Sequence, residues 1–134
     1  MSSSFTLKKT AYYSHTAHVC YRCNKDAYGR LSDEKLQRLI MEYGGVETGM
    51  RAGDRSFQSL SAGGGVYDQC TSDALDHAVV VVGWGEEWSY STQYGRQMLQ
   101  KYWLVRNSWG QGWGDGGYVK IKRGTCGVGT VSVH

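Results

Sequence analysis

The chain has 134 residues with 15 basic and 12 acidic side chains, a net charge of +3, and no long run of like charge, so nothing electrostatic points to a nucleic-acid partner. Apolar residues make up 40% and aromatic ones 13%, enough to fill the core of one globular domain. No apolar stretch is long enough to cross a membrane, and the opening Met1 to Lys9 lacks the basic-then-apolar order of a secretory signal, so the sequence reads as soluble with its compartment unspecified. The initial methionine is what an independently made product would carry.

In chain order, Phe5 to Tyr13 is rich in aromatic and β-branched residues and reads as a strand, with Lys8 and Lys9 suited to an edge. His15, His18, Cys20 and Cys23 follow within a loop. Four borderline-soft donors so close together allow a zinc site, a local Cys-x-x-Cys disulfide, a bridge to another chain, or free thiols. Structural zinc sites usually draw two ligand pairs from separated segments, so metal is only a weak candidate and no cofactor is expected. Ser32 as N-cap, Asp33 and Glu34 in the first turn, Leu36, Leu39, Ile40 and Tyr43 at helical spacing and Gly44-Gly45 as a stop predict one amphipathic helix of about three turns. Val46 to Met50 reads as a short strand, Phe57 and Leu60 as a local packing pair, and Val66-Tyr67 as the start of an extended segment.

Ala78 to Trp84, with four consecutive valines, has the pattern of a strand buried on both faces. Glu86 to Gln100 is polar and reads as a long hairpin excursion outside the core. Tyr102 to Val105 and the alternating Tyr118 to Lys122 complete the strands. Between them Trp109-Gly110, Trp113-Gly114 and Gly116-Gly117 set indoles against backbone that only glycine lets close, in a chain with 19 glycines and no proline. One helix and five to seven strands predict an α+β fold, an antiparallel sheet or barrel with a helix at its side. His77 lies just before one buried strand and Asn107 at the end of the next, so pairing those strands brings together an acid-base histidine and an orienting amide.

These segments resemble the C-terminal right lobe of papain-like cysteine peptidases. The likeness runs in order through the helix, Gly-Gly-Val, SAGGGVYDQC, LDHAV, KYWLVRNSWG, GWGDGGYVKIKRG and TCGV, from about Leu31 to the C-terminus, with residues 1–30 as a strand and His/Cys loop of the same domain. The resemblance implies that His77 is the general base and Asn107 the amide fixing its tautomer. It further implies that Trp109 shields their hydrogen bond, that Trp113 floors the leaving-group side of a cleft, and that Leu75, Ala78 and less directly Gly49 line the specificity pocket. It pairs Cys70 with Cys126 in a disulfide closing a loop of more than roughly fifty residues, worth roughly 3 to 4 kcal/mol. The family's Cys-Gly-Ser-Cys-Trp nucleophile segment has no counterpart among these residues, and Cys23 lacks the surroundings of a displaced nucleophile. The expectation is therefore a noncatalytic binding or structural component of a larger assembly. The alternative is the heavy half of a two-chain endopeptidase. Either way a second protein chain covers the cleft face.

Overall fold

The structure, a computed structural model, describes residues 28–132. Strand β1 (Tyr28–Arg30) leads into helix α1 (Asp33–Tyr43), strand β2 (Val46–Met50), a single-turn helix α2 (Arg55–Gln58) and strand β3 (Val66–Tyr67). The long strands β4 (His77–Ser91) and β5 (Arg96–Arg106) form a hairpin, followed by β6 (Tyr118–Lys122) and β7 (Thr130–Ser132). All seven strands belong to one sheet in the order β1-β7-β2-β4-β5-β6-β3. The strand expected over Phe5 to Tyr13 and the His15, His18, Cys20, Cys23 cluster lie outside the described residues.

Helix α1 forms where its capping residues place it. The Ser32 side chain accepts a hydrogen bond from the Lys35 amide, and Gly44 closes the helix in the left-handed region at φ 86°. Its apolar stripe of Leu36, Leu39 and Ile40 is buried against the sheet. Strand β4 is central because it is paired on both sides, Val79 to Thr48 and Val81 to Val46 on β2, and Val81 to Val105 on β5. Val79, Val80 and Val81 are accordingly buried. Burial without water leaves their amides no partner except neighbouring strands, which is why a continuous valine run sits in the middle of the sheet.

Two features depart from the expected antiparallel sheet with one helix. Strand β3 runs parallel to β6, Val66 beside Lys120 and Tyr67 beside Ile121, so the sheet is mixed. The four residues of α2 are too few to show a helical period, and the turn they form buries Phe57 fully against Tyr67, Trp109 and Trp113. Strands β1 and β7 are also not legible in the sequence, since each is three residues long and is held by distant strands, β1 by β7 and β7 by both β1 and β2.

The hairpin of β4 and β5 outruns β2, whose pairing ends at Val46 with Val81. A bulge between Val81 and Gly83 shifts the register there. Beyond it Trp88 and Leu99 face each other in solvent, whereas Ser89, Ser91 and Gln100 on the opposite face are buried, with the Gln100 amide donating to Ser89 Oγ at 2.8 Å. The excursion expected to lie outside the core therefore contributes one buried polar face.

Cys70 and Cys126 form a disulfide with Cα atoms 5.4 Å apart across 56 residues of sequence. It ties the loop before β4 to the segment before β7, and around it the chain closes further. The Arg51 amide donates to Cys126 O at 2.8 Å, and Asp54 accepts from the Thr71 amide and hydroxyl at 3.1 and 2.8 Å. Hydrogen bonds from Arg51, then from Thr71, hold the Asp54 carboxyl below its usual value.

Two stability predictions follow from this packing. Closing a 56-residue loop costs the unfolded chain about 4 kcal/mol of entropy, so denaturant unfolding with and without reductant should differ by about that amount. Gly114 has φ +61°, and a Cβ there would meet Tyr118 O at 2.6 Å, whereas a Cβ at Gly112 meets nothing within 4 Å. Gly114→Ala should therefore cost at least about 2 kcal/mol and Gly112→Ala less than about 0.5, measured by the same unfolding curves.

Candidate functional site

His77 is the first residue of β4 and Asn107 follows the last residue of β5. Both strands pair at their shared end, Val80 opposite Arg106, which brings the two side chains together although 30 residues separate them. The imidazole Nε2 lies 2.8 Å from Asn107 Oδ1, and the same oxygen accepts the Ser108 amide at 2.8 Å. A backbone N–H can only donate, so it fixes which end of the Asn107 amide is oxygen. An oxygen that only accepts in turn requires Nε2 to carry the ring proton. The neutral imidazole therefore keeps its lone pair on Nδ1, the state of a ring ready to take a proton there.

Aromatic rings roof and support this pair. The Trp109 indole stands 5.0 Å from the imidazole, centroid to centroid and tilted by 33°, and is 40% exposed. Beneath it lie Trp113 at 5.4 Å and Phe57 at 5.6 Å, with Phe57 and Trp113 themselves 4.9 Å apart. Trp113 Nε1 donates to Phe57 O at 2.9 Å, so the indole bonds into α2. Trp113 is buried against Trp109 and supports it from below. Its place there depends on the glycine-rich turn, in which Gly117 N donates to Trp113 O at 2.8 Å and Gly117 itself has φ 96°. Phe57 is the residue whose part at the site was missed. A four-residue helix leaves no period to detect, and only the Asp54-Arg-Ser start hinted at it.

Leu75 and Ala78 flank the imidazole differently. Leu75 is half-buried and wedged between two glycines, its methyl carbons 3.0 Å from a Cβ built on Gly49 and 2.8 Å from one built on Gly127. Ala78 pairs with Gly49 in the β2–β4 ladder and is exposed. It opens onto a groove shared with Val80, Arg106 and Asn107. A second groove, between Arg106, Gln111 and Tyr118, begins on the other side of Asn107. Asn107 is buried at 7% exposure, and its Nδ2 has no hydrogen-bond partner among the described residues.

The chemistry available is that of an oriented base. Cys70 and Cys126, the two cysteines among the described residues, are bonded to each other, so neither offers a thiol to Nδ1. Among the described residues no group of three or more His, Cys, Asp and Glu is placed to hold a metal, and no helix is long and apolar enough to cross a membrane.

The family model described as papain family cysteine protease matches residues 3–134. Cathepsin L2 of Homo sapiens is 40% identical over 105 residues, which is 76% of this chain and 30% of the human protein. The cathepsin L-like peptidase of Aedes aegypti is 41% identical over 105 residues, again 76% of this chain and 28% of that protein. The solved structure of the digestive procathepsin L2 proteinase from Tenebrio molitor larval midgut is 36% identical with a TM-score of 0.56, covering 81% of this chain and 34% of that one. The chain thus spans about 30% of the length of the curated relatives it matches. With a sequence match over nearly its whole length and the same fold over part of theirs, the chain belongs to the papain family of cysteine proteases.

Proposed function

We propose that this chain is the base-bearing half of a papain-type cysteine peptidase site, noncatalytic by itself and completed by a polypeptide segment that carries the nucleophilic thiol. The observation that carries this reading is the His77–Asn107 hydrogen bond, which leaves Nδ1 as the basic nitrogen beneath an indole roof. In such a site Nδ1 takes the proton of the incoming thiol and later returns it to the leaving amine, while Asn107 holds the ring in one tautomer through both steps. An oxyanion hole and the thiol itself come from the completing segment. Whether that segment is part of the same polypeptide or of a second chain does not alter the chemistry.

The completing segment is also the partner proposed to cover the cleft face. Two observations support such a cover. Trp109 leaves its outer face in water beside two open grooves, and Asn107 Nδ2 is a buried donor that lacks an acceptor among the described residues, a deficit of about 1 to 3 kcal/mol that an acceptor on the covering segment would relieve.

A second reading keeps the same docking face but no chemistry, as a binding or structural module of a larger assembly. The bonding of Cys70 to Cys126, which leaves the described residues without a free thiol, favours it.

The two are separated by a complementation assay. The purified chain should not turn over a fluorogenic peptide substrate, and addition of the thiol-bearing lobe of a papain-type peptidase should produce turnover. His77→Ala should then lower the rate by about 10²- to 10⁴-fold, the usual contribution of a positioned general base. Binding of that lobe without turnover would leave the module reading alone standing.

A further inference from the structure

We propose that the outer face of the β4–β5 hairpin is a self-association surface through which two copies of this chain pair, with Trp88 of each packed on Leu99 of the other. The surface is separate from the His77 site and does not depend on whether a thiol-bearing segment completes that site. Trp88 lies beyond the bulge, up to about 36 Å along β4 from His77 at the usual rise per strand residue, so both surfaces can be occupied at once.

The two faces of the distal hairpin are used differently. One is committed to the body of the chain. Lys120 Nζ donates to Glu87 Oε1 at 2.7 Å, Lys122 Nζ to Gln93 Oε1 at 3.0 Å, and Asp68 accepts from both the amide and the hydroxyl of Thr92. These bonds brace the hairpin against β6 and the segment after β3. The other face carries Glu86, Trp88 and Tyr90 on β4 and Gln97, Leu99 and Lys101 on β5, all six exposed. Nearer the body this face closes, since Trp103 is buried with the Arg123 guanidinium 4.5 Å from its ring. Trp88 is 70% exposed and Leu99 48%. An indole and a leucine held in water on a braced support gain free energy by meeting an apolar surface outside the described residues.

The register of the hairpin selects a second copy as the occupant. Its rungs pair Glu86 with Lys101, Trp88 with Leu99 and Tyr90 with Gln97. A two-fold axis parallel to the strands, lying between two such faces, sets β4 of one copy over β5 of the other at every rung. Each rung then meets its own complement: Glu86 faces Lys101, Trp88 faces Leu99, and the Tyr90 hydroxyl faces the Gln97 amide, in both directions. Glu86 and Lys101 are not ion-paired within the chain among the described residues, so both charges are available to the other copy. The result is an apolar centre with a charged rim on one side and a hydrogen-bonding rim on the other, the usual anatomy of an interface. Three rungs of two strands are less than a standard interface, so the pair is a weak and reversible one.

The test is sedimentation equilibrium of the full chain over a concentration series reaching about 1 mM, where a pair with a micromolar dissociation constant is mostly formed. Non-reducing electrophoresis sets apart any disulfide-linked species. The parent chain should move reversibly from the mass of one copy toward that of two. Two-fold symmetry makes every substitution act twice, so Trp88→Ser should lower the association constant at least about tenfold, and Leu99→Ser serves in its place if Trp88→Ser does not fold. Glu86→Lys and Lys101→Glu should each weaken pairing, because each sets like charges against one another across the axis. An equimolar mixture of these two variants should associate about three- to tenfold more tightly than either alone, since each then meets opposite charges on the other. The effect of each substitution within its own chain is the same alone and in the mixture, so this comparison reads only the contact between copies. A chain that stays monomeric throughout the series, a dimer unaffected by Trp88→Ser or Leu99→Ser, or a mixture no tighter than the separate variants overturns the proposal. Association seen only with a thiol-bearing lobe, and lost in Trp88→Ser, assigns the face to that lobe and overturns self-pairing as well.

Discussion

One amide oxygen organises the site. Asn107 Oδ1 accepts from the backbone of its own successor and from the imidazole 30 residues earlier, and with both donors in place neither ring nor amide can turn without losing a bond. Such a bond is reliable only where water is kept from it and where its two ends are carried on paired strands. Asn107 is buried, with the Trp109 indole packed on the imidazole, and the two strand ends are joined by the β4–β5 ladder with Val80 opposite Arg106. In water an exposed hydrogen bond of this kind contributes little net free energy, so the roof and the ladder together make the tautomer a property of the fold.

The roof itself is a stack with its base in the core. Phe57 is fully buried, Trp113 rests on it and bonds its carbonyl, and Trp109 rests on both. Indoles can come this close to the turn between β5 and β6 because Gly110, Gly114, Gly116 and Gly117 all have positive φ, a conformation that side chains rarely adopt. The glycines and tryptophans of this stretch are therefore one device: the backbone folds tightly so that large rings can be placed over a small polar pair. On the opposite flank the disulfide, Arg51, Asp54 and Asp76 do the corresponding work for the backbone entering β4.

The chain's resources are unevenly spent around this centre. Strand β4 is buried and paired on both sides near His77, yet its distal half projects with Trp88 and Tyr90 in solvent on one face and Ser89 and Ser91 buried on the other. The bulge after Val81 marks the boundary between these regimes. The proximal half carries the site and the distal half does not touch it.

Local sequence determined the elements whose physics is local. Helix α1 was legible from its cap, stripe and terminal glycine because each acts within a turn or two, and β6 from a strict alternation over five residues. The valine run announced a strand buried on both faces because consecutive β-branched, wholly apolar side chains favour extended backbone and none of them seeks water, and the positions of His77 and Asn107 relative to strand ends were enough to bring them together. What only the tertiary structure decided has no local cause. Strand β1 is defined by β7 across about a hundred residues of chain, β7 by both β1 and β2, and β3 is parallel to β6 because it lies at the sheet's far edge. A single turn such as α2 is too short to be stable alone, so its existence follows from the burial of Phe57. The burial of Trp113 against Trp109, and the convergence of Arg51, Asp54 and Asp76 at the entry to β4, likewise depend on which side chains meet once the sheet is assembled, and spacing along the chain does not encode that.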